Sequence, residues 1–196
     1  MHYELTKRDS ASILYYFREK EIEKELKDAP FSSVRLQIDD WEKDLSPFPY
    51  ANFAGNGPKT LIWLKETVQK AEEGMDIRKR CIAGYSLAGL FALYALYETD
   101  LFDGAASCSG SLWFPGFSGY LTQKAPLEKK RIYLSLGNKE EKTRHPLMSQ
   151  VGEITRAYAA KLETEHTDMI LEMNEGGHFH EPDRRLLRGI EWLMKE

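Results

Sequence analysis

Three small groups of residues in this chain could together do nucleophilic chemistry: a serine at a strand-to-helix junction, a histidine behind two glycines, and two adjacent glutamates. The serine is Ser86, in Gly84-Tyr85-Ser86-Leu87-Ala88, with Gly89 next. A short apolar run, Cys81-Ile82-Ala83, leads into it, and an apolar helical stretch from Leu90 to Tyr97 leaves it. At a sharp turn of that kind the hydroxyl is pushed clear of the backbone and set at the positive end of a helix. This is how the pattern G-x-S-x-G presents a nucleophile. Ala88 stands at the fifth position, whose requirement is smallness, so that helix and strand can approach closely. The competing reading of Ser86 is a helix N-cap that satisfies a free backbone N–H.

A serine hydroxyl attacks well only when a base takes its proton, usually a histidine oriented by a carboxylate. Of the five histidines, His178 and His180 lie in Gly176-Gly177-His178-Phe179-His180, directly after the last apolar strand run. The glycines give that loop freedom to turn a ring toward the sheet edge. His178 is the expected base and His180 the reserve. The orienting acid is expected in Gly137-Asn138-Lys139-Glu140-Glu141-Lys142. Glu140 is preferred and Glu141 is the alternative; Lys139, Lys142 and Arg144 would otherwise make this a solvated charge cluster. The chain order is then Ser86, Glu140, His178.

These residues need a scaffold that brings three loops to one edge. Strands are expected at Ser12–Phe17, Val34–Ile38, Lys79–Tyr85, Gly104–Cys108, Arg131–Leu136 and Asp168–Met173. Helices are expected at Glu19–Lys27, Thr60–Glu73, from Ser86 to Glu98, Gln150–Glu163 and Pro182–Lys195. Strands alternating with helices imply βαβ units and a mostly parallel sheet covered on both faces. Ligand chemistry in such a sheet gathers beyond the carboxyl ends of the strands. All three candidate loops lie there. The long stretch 39–58 reads as a loop. Its aromatics Trp41, Phe48, Tyr50 and Phe53, with Trp113 and Phe114, could line an apolar acyl or aryl pocket. Trp41, Trp113 and Phe114 are the expected substrate contacts.

A chain of 196 residues is most simply one domain, here 1–196. The net charge of −4 argues against a nucleic-acid partner. No apolar run reaches membrane-spanning length, and the N-terminus has no basic start or apolar stretch of a leader. Cys81 and Cys108 would sit at opposite ends of neighbouring strands, roughly 15 Å apart at about 3.3 Å per residue, too far for a disulfide. Two reduced thiols fit a reducing compartment, and the expected location is the cytoplasm. No metal or cofactor is expected.

The segment Gly84 to Phe117 resembles the putative-esterase family of α/β-hydrolases, which includes siderophore esterases, S-formylglutathione hydrolases and mycolyltransferases. Gly84-Tyr85-Ser86 with Gly89-Leu90-Phe91-Ala92-Leu93-Tyr94 is similar to that family's nucleophile turn and helix. Ser109-Gly110-Ser111-Leu112-Trp113 is similar to its S-x-S-L-W run, Gly137 with Glu140 to its acid loop, and Gly176-Gly177-His178 to its histidine loop. The resemblance covers residues 80–196 well and the first 80 more weakly. It implies an α/β-hydrolase fold. The chain departs from the family by its shortness: the first strands of the full fold are expected to be missing or reduced to Tyr3–Thr6, leaving a short N-terminus, and no lid domain is expected. The resemblance also implies hydrolysis of an ester or thioester through a covalent acyl-serine, and a small-molecule ester is the expected substrate. An oxyanion hole needs two backbone N–H groups. Leu87 is the expected first donor. The second is expected from the loop that begins Arg18-Glu19-Lys20, which lacks the usual glycine, and Arg18 is the candidate. An acyltransferase on the same residues and a non-catalytic binding protein are the alternatives.

Overall fold

The computed structural model describes residues 1–17, 22–127 and 129–195. The chain opens with β1 (His2–Thr6), β2 (Ser12–Phe17), α1 (Glu23–Leu26), β3 (Ser32–Gln37) and α2 (Trp41–Asp44). The two-residue strands β4 (Pro49–Tyr50) and β5 (Phe53–Ala54) and helix α3 (Gly57–Ala71) follow. Then come β6 (Lys79–Tyr85), α4 (Leu87–Glu98), β7 (Gly104–Cys108), α5 (Phe117–Gln123), β8 (Arg131–Gly137), α6 (Val151–Thr164), β9 (Asp168–Asn174) and α7 (Pro182–Met194).

Seven strands form one sheet in the order β1-β3-β2-β6-β7-β8-β9. Only β1 runs antiparallel to its neighbour; every other pairing is parallel. The central strands are built from apolar and small residues without alternation, as strands buried on both faces must be. Ile13 to Phe17 and Cys81 to Tyr85 are all buried. One face of the sheet packs against α3, α4, α5 and α6 through Leu64, Leu90, Phe117 and Leu162, among others. The other face packs against α1 and α7 through Leu26, Leu186, Ile190 and Leu193. Helix α4 is apolar all round, and residues Leu87 to Leu96 are buried, as a helix of that pattern must be.

The structure differs from the sequence expectation in several places. Among the described residues, the helix expected over Glu19–Lys27 is present as α1, Glu23–Leu26; positions 18–21 lie outside them. Strand β3 starts two residues earlier than expected, at Ser32. Ser32 and Ser33 are polar yet buried, and the Ser32 hydroxyl exchanges hydrogen bonds with the backbone of Arg8, which is why a polar residue can open a core strand. The stretch 39–58 folds into α2 and the β4–β5 hairpin. Asp40 caps α2 by accepting from the Lys43 N–H at 3.1 Å. Helix α5 was not expected. It is short and carries Gly119, a poor helix former, and it is held by burial of Phe117 and Leu121, four residues apart.

Among the described residues no helix is long and apolar enough to cross a membrane. The register pairs Cys81 with Gly104 and Cys108 with Tyr85, so the two thiols are separated along the strands, and both are free and buried.

Candidate active site

Ser86 stands between the end of β6 and the start of α4 with φ 57° and ψ −123°. Such a backbone costs a residue with a side chain on the order of 1–3 kcal/mol and persists only where surrounding structure imposes it. Here the constraint is visible on both sides of the residue. The Ser86 N–H donates to the Cys108 carbonyl at 3.0 Å, and the Ser111 N–H donates to the Ser86 carbonyl at 3.0 Å. The turn is possible because Gly84 has no side chain. A Cβ there would lie 2.8 Å from the Ala88 methyl and closer still to the Ala88 carbonyl. Ala88 is therefore tolerated at the fifth position because Gly84 supplies the missing clearance.

The Ser86 side chain makes no cap hydrogen bond to its helix. Its Oγ lies 3.0 Å from His178 Nε2 and 3.3 Å from Ser111 Oγ. The other ring nitrogen, Nδ1, lies 2.8 Å from Glu140 Oε2. A carboxylate can only accept, so Nδ1 carries the proton and Nε2 presents its lone pair to Ser86. Leu87 is the first residue of α4, where a backbone N–H has no partner inside the helix and points toward the positive end of the dipole.

Glu140 is buried, in a 3₁₀ turn (Glu140–Lys142) just past β8. Burial pushes its carboxyl pKa up. The bonds from His178, from the Ser109 hydroxyl and from the Gly137 N–H outweigh this and hold the group below its ordinary value. Both of the latter bonds end on Oε1, each at 2.7 Å, leaving Oε2 for the imidazole. Gly137 itself must be bare, since a Cβ would come within 2.9 Å of Glu140 Oε1. The histidine loop is fixed in turn. The Tyr85 hydroxyl donates to the His178 carbonyl at 2.6 Å. Gly176 takes φ 93°, where a Cβ would press on the His180 ring, whereas Gly177 faces open space. One of the two glycines is therefore required by the turn.

The other expected site residues fall in different places. Glu141 points away and pairs with Arg156 at 2.8 Å. His180 is exposed beside Glu181. A cleft of about 520 Å³ opens at Ser86 and His178 and is lined by Trp113, Met148, Val151 and Phe179, with Lys139 and Lys142 as its cationic part. Phe114 belongs to the core instead, where it packs edge-on against Phe53. Trp41, on α2, is 37% exposed and is not among the residues lining the cleft. Both had been expected as substrate contacts because aromatics near a nucleophile favour that reading; packing of the 39–58 stretch onto the core accounts for Phe114. Arg18 lies outside the described residues. Cys81 and Cys108 have their thiols pushed up to about 12 by burial, which makes both poor nucleophiles. Among the described residues no cluster of His, Cys, Asp or Glu could hold a metal ion.

Sequence reasoning had not assigned a role to Arg185, Tyr85 or Ser109, and had not placed Met148 or Phe179 in the pocket. Phe179 is 92% exposed and stands edge-on to the His178 ring. Its position beside the candidate base was the available signal.

A parallel sheet wound on both sides, with a strained serine between a strand and a buried helix, defines an α/β-hydrolase. The profile described as putative esterase matches residues 59–182, so the chain belongs to the putative-esterase family and is an ester-hydrolysing enzyme. Solved structures share the fold. An IroE-like serine hydrolase from Shewanella oneidensis superposes with a TM-score of 0.77 at 18% identity, covering 97% of this chain and 74% of that one. The siderophore hydrolase EstA of Aspergillus nidulans gives 0.68 at 17% identity, covering 94% and 82%. The enterochelin esterase of Shigella flexneri gives 0.73 at 19% identity, covering 98% of this chain and 54% of that one. No curated protein matches the chain in sequence.

Proposed function

We propose that the chain is a serine carboxylic-ester hydrolase that works through an acyl-Ser86 intermediate. The observation that carries this reading is the unbroken run Ser86 Oγ, His178 Nε2, His178 Nδ1, Glu140 Oε2, with contacts of 3.0 and 2.8 Å. His178 takes the hydroxyl proton as Ser86 Oγ attacks the ester carbonyl. Glu140 holds the ring in the required tautomer and stabilises the imidazolium that forms. The negative oxygen of the tetrahedral intermediate lies at the start of α4, where the Leu87 N–H donates to it. On collapse the imidazolium returns its proton to the leaving alkoxide, and the alcohol departs. Water then attacks the acyl-serine with His178 again as base, and the acid is released.

The cleft favours particular esters. Its walls are apolar, and Glu140 is the one carboxylate among its described lining residues, already paired with His178 and Arg185. Lys139 and Lys142 therefore give the mouth a positive field although the whole chain is acidic. Aryl esters that carry negative charge fit this surface best. The structural neighbours named siderophore hydrolase and enterochelin esterase support an ester of the siderophore class as substrate.

A fluorophosphonate probe should label the protein at Ser86. Ser86→Ala should lose both labelling and about 10⁴- to 10⁶-fold of ester hydrolysis, and anionic aryl esters should show a lower KM than neutral ones of equal size. An Ala variant as fast as the parent would end this reading. Product analysis with added alcohols separates hydrolysis from acyl transfer.

A further inference from the structure

Arg185 is the largest fully buried side chain of the described residues, with 1% of its surface exposed, and it sits on α7 outside the segment matched by the family profile. A guanidinium cannot shed its charge, so its burial requires partners on every side. It has them. Nη1 donates to Glu140 Oε1 at 3.0 Å, to Ser109 Oγ at 3.1 Å and to the Tyr85 hydroxyl at 3.3 Å. Nη2 donates to the carbonyls of Glu175 at 2.7 Å and Gly177 at 3.1 Å, which flank Gly176 in the histidine loop. One planar fork thus joins the acid, the nucleophile strand, the loop after β7 and the backbone that carries His178.

We infer that Arg185 is a positioning residue for the reaction: its fork locks Glu140 and the histidine loop into one unit, and its charge limits how strongly Glu140 favours the imidazolium. The inference rests on the serine-hydrolase reading of this site. The geometry divides the acid into two halves. Oε1 is fully engaged by three donors from the scaffold, Arg185, Ser109 and Gly137. Oε2 has one visible task, the His178 ring. In a resting site Glu140 and Arg185 sum to zero charge, so protonating His178 adds an uncompensated cation. Without the Arg185 charge, Glu140 would favour the imidazolium more strongly. A lysine could supply the charge but could not span both sides of the fork.

Other charged and titratable groups surround this centre. Lys139 and Lys142 face His178 from the cleft and act in the same sense as Arg185, though from solvent. Tyr85, on β6, is neutral, with its hydroxyl held up by burial. Cys108, on β7, donates its thiol to the Arg185 carbonyl and is uncharged. Behind α7, Glu172 of β9 is matched by Arg188 at 2.8 Å. Arg185 is thus the one cation in direct contact with the acid among the described residues.

Two variants separate charge from geometry. Arg185→Gln removes the charge and, two bonds shorter than the Nη2 that reaches the loop carbonyls, removes the fork with it. The acid limb of its kcat/KM profile should move up by about one pH unit, and the His178 ring followed by NMR should titrate higher by the same amount without substrate. Arg185→Lys keeps the charge but breaks the fork. Its acid limb should stay with the parent while kcat falls at least about 10-fold with little change in KM. An unmoved limb in the Gln variant, or a Lys variant as fast as the parent, overturns the inference. Should the Gln variant not fold, the Lys variant decides alone by its kcat. Failure here is distinct from failure of the parent reading, which shows as a wild-type protein that neither labels with fluorophosphonate nor hydrolyses esters.

Discussion

Glu140 is best understood through what each of its oxygens is asked to do. Replacing it by Gln keeps the shape, but the amide can hand a hydrogen to His178 Nδ1 and flip the ring's tautomer. The expected cost is roughly 10³- to 10⁴-fold in kcat, measured by steady-state kinetics on an aryl ester. The same change strands the buried Arg185 without its counter-charge, at about 3–5 kcal/mol at neutral pH. The pH dependence has a definite sign. Glu140 is held below its ordinary value in the fold, so its contribution is present at pH above that value. It is lost as pH falls through the lower folded value. Denaturant titrations of parent and Glu140→Gln should therefore converge as pH is lowered from neutrality into the carboxylate range. Ser86, His178 and the acid loop were legible in sequence because each sits in a short local pattern. Arg185 was not. Its partners Glu140, Ser109 and Tyr85 are 45, 76 and 100 positions away, and beside Arg184 it reads as part of an exposed charged helix start.

At the scale of elements, the junction of β6 and α4 shows how tightly the site depends on packing. Gly84→Ala would drive a methyl into the Ala88 backbone and force the helix away from the strand. Overpacking of this kind costs about 1–3 kcal/mol. The larger effect should fall on Ser86, whose unusual backbone depends on that approach. We expect a fall in thermal midpoint together with a loss of fluorophosphonate labelling that persists well below the midpoint. Full labelling at unchanged rate would show that the nucleophile turn does not need this contact. The strands β6 and β7 and the helix α4 were read from the sequence because apolar runs of these lengths bounded by turns leave few options. The elements that escaped, α2, α5 and the β4–β5 hairpin, are short. They exist because of what they pack against, such as Tyr50 and Phe53 on Phe114, and a local window contains no trace of that partner.

For the molecule as a whole, Cys81 and Cys108 report on the global fold. Both lie in central strands with fully buried side chains and thiols pushed up to about 12. Neither can meet a disulfide reagent unless the sheet opens. Their reaction with a chromogenic disulfide should be undetectable in native buffer and should rise in step with denaturant unfolding. Fast modification of either thiol in native buffer would contradict the packing described. The placement of Arg185 on the last helix has a further consequence for how the protein comes into being. Nucleophile, acid and histidine all precede it in the chain, and the clasp that unites them is made after them during synthesis. Until α7 docks, Glu140 and the carbonyls of Glu175 and Gly177 lack the buried donor that joins them, so labelling of Ser86 during synthesis is expected to follow the docking of that helix.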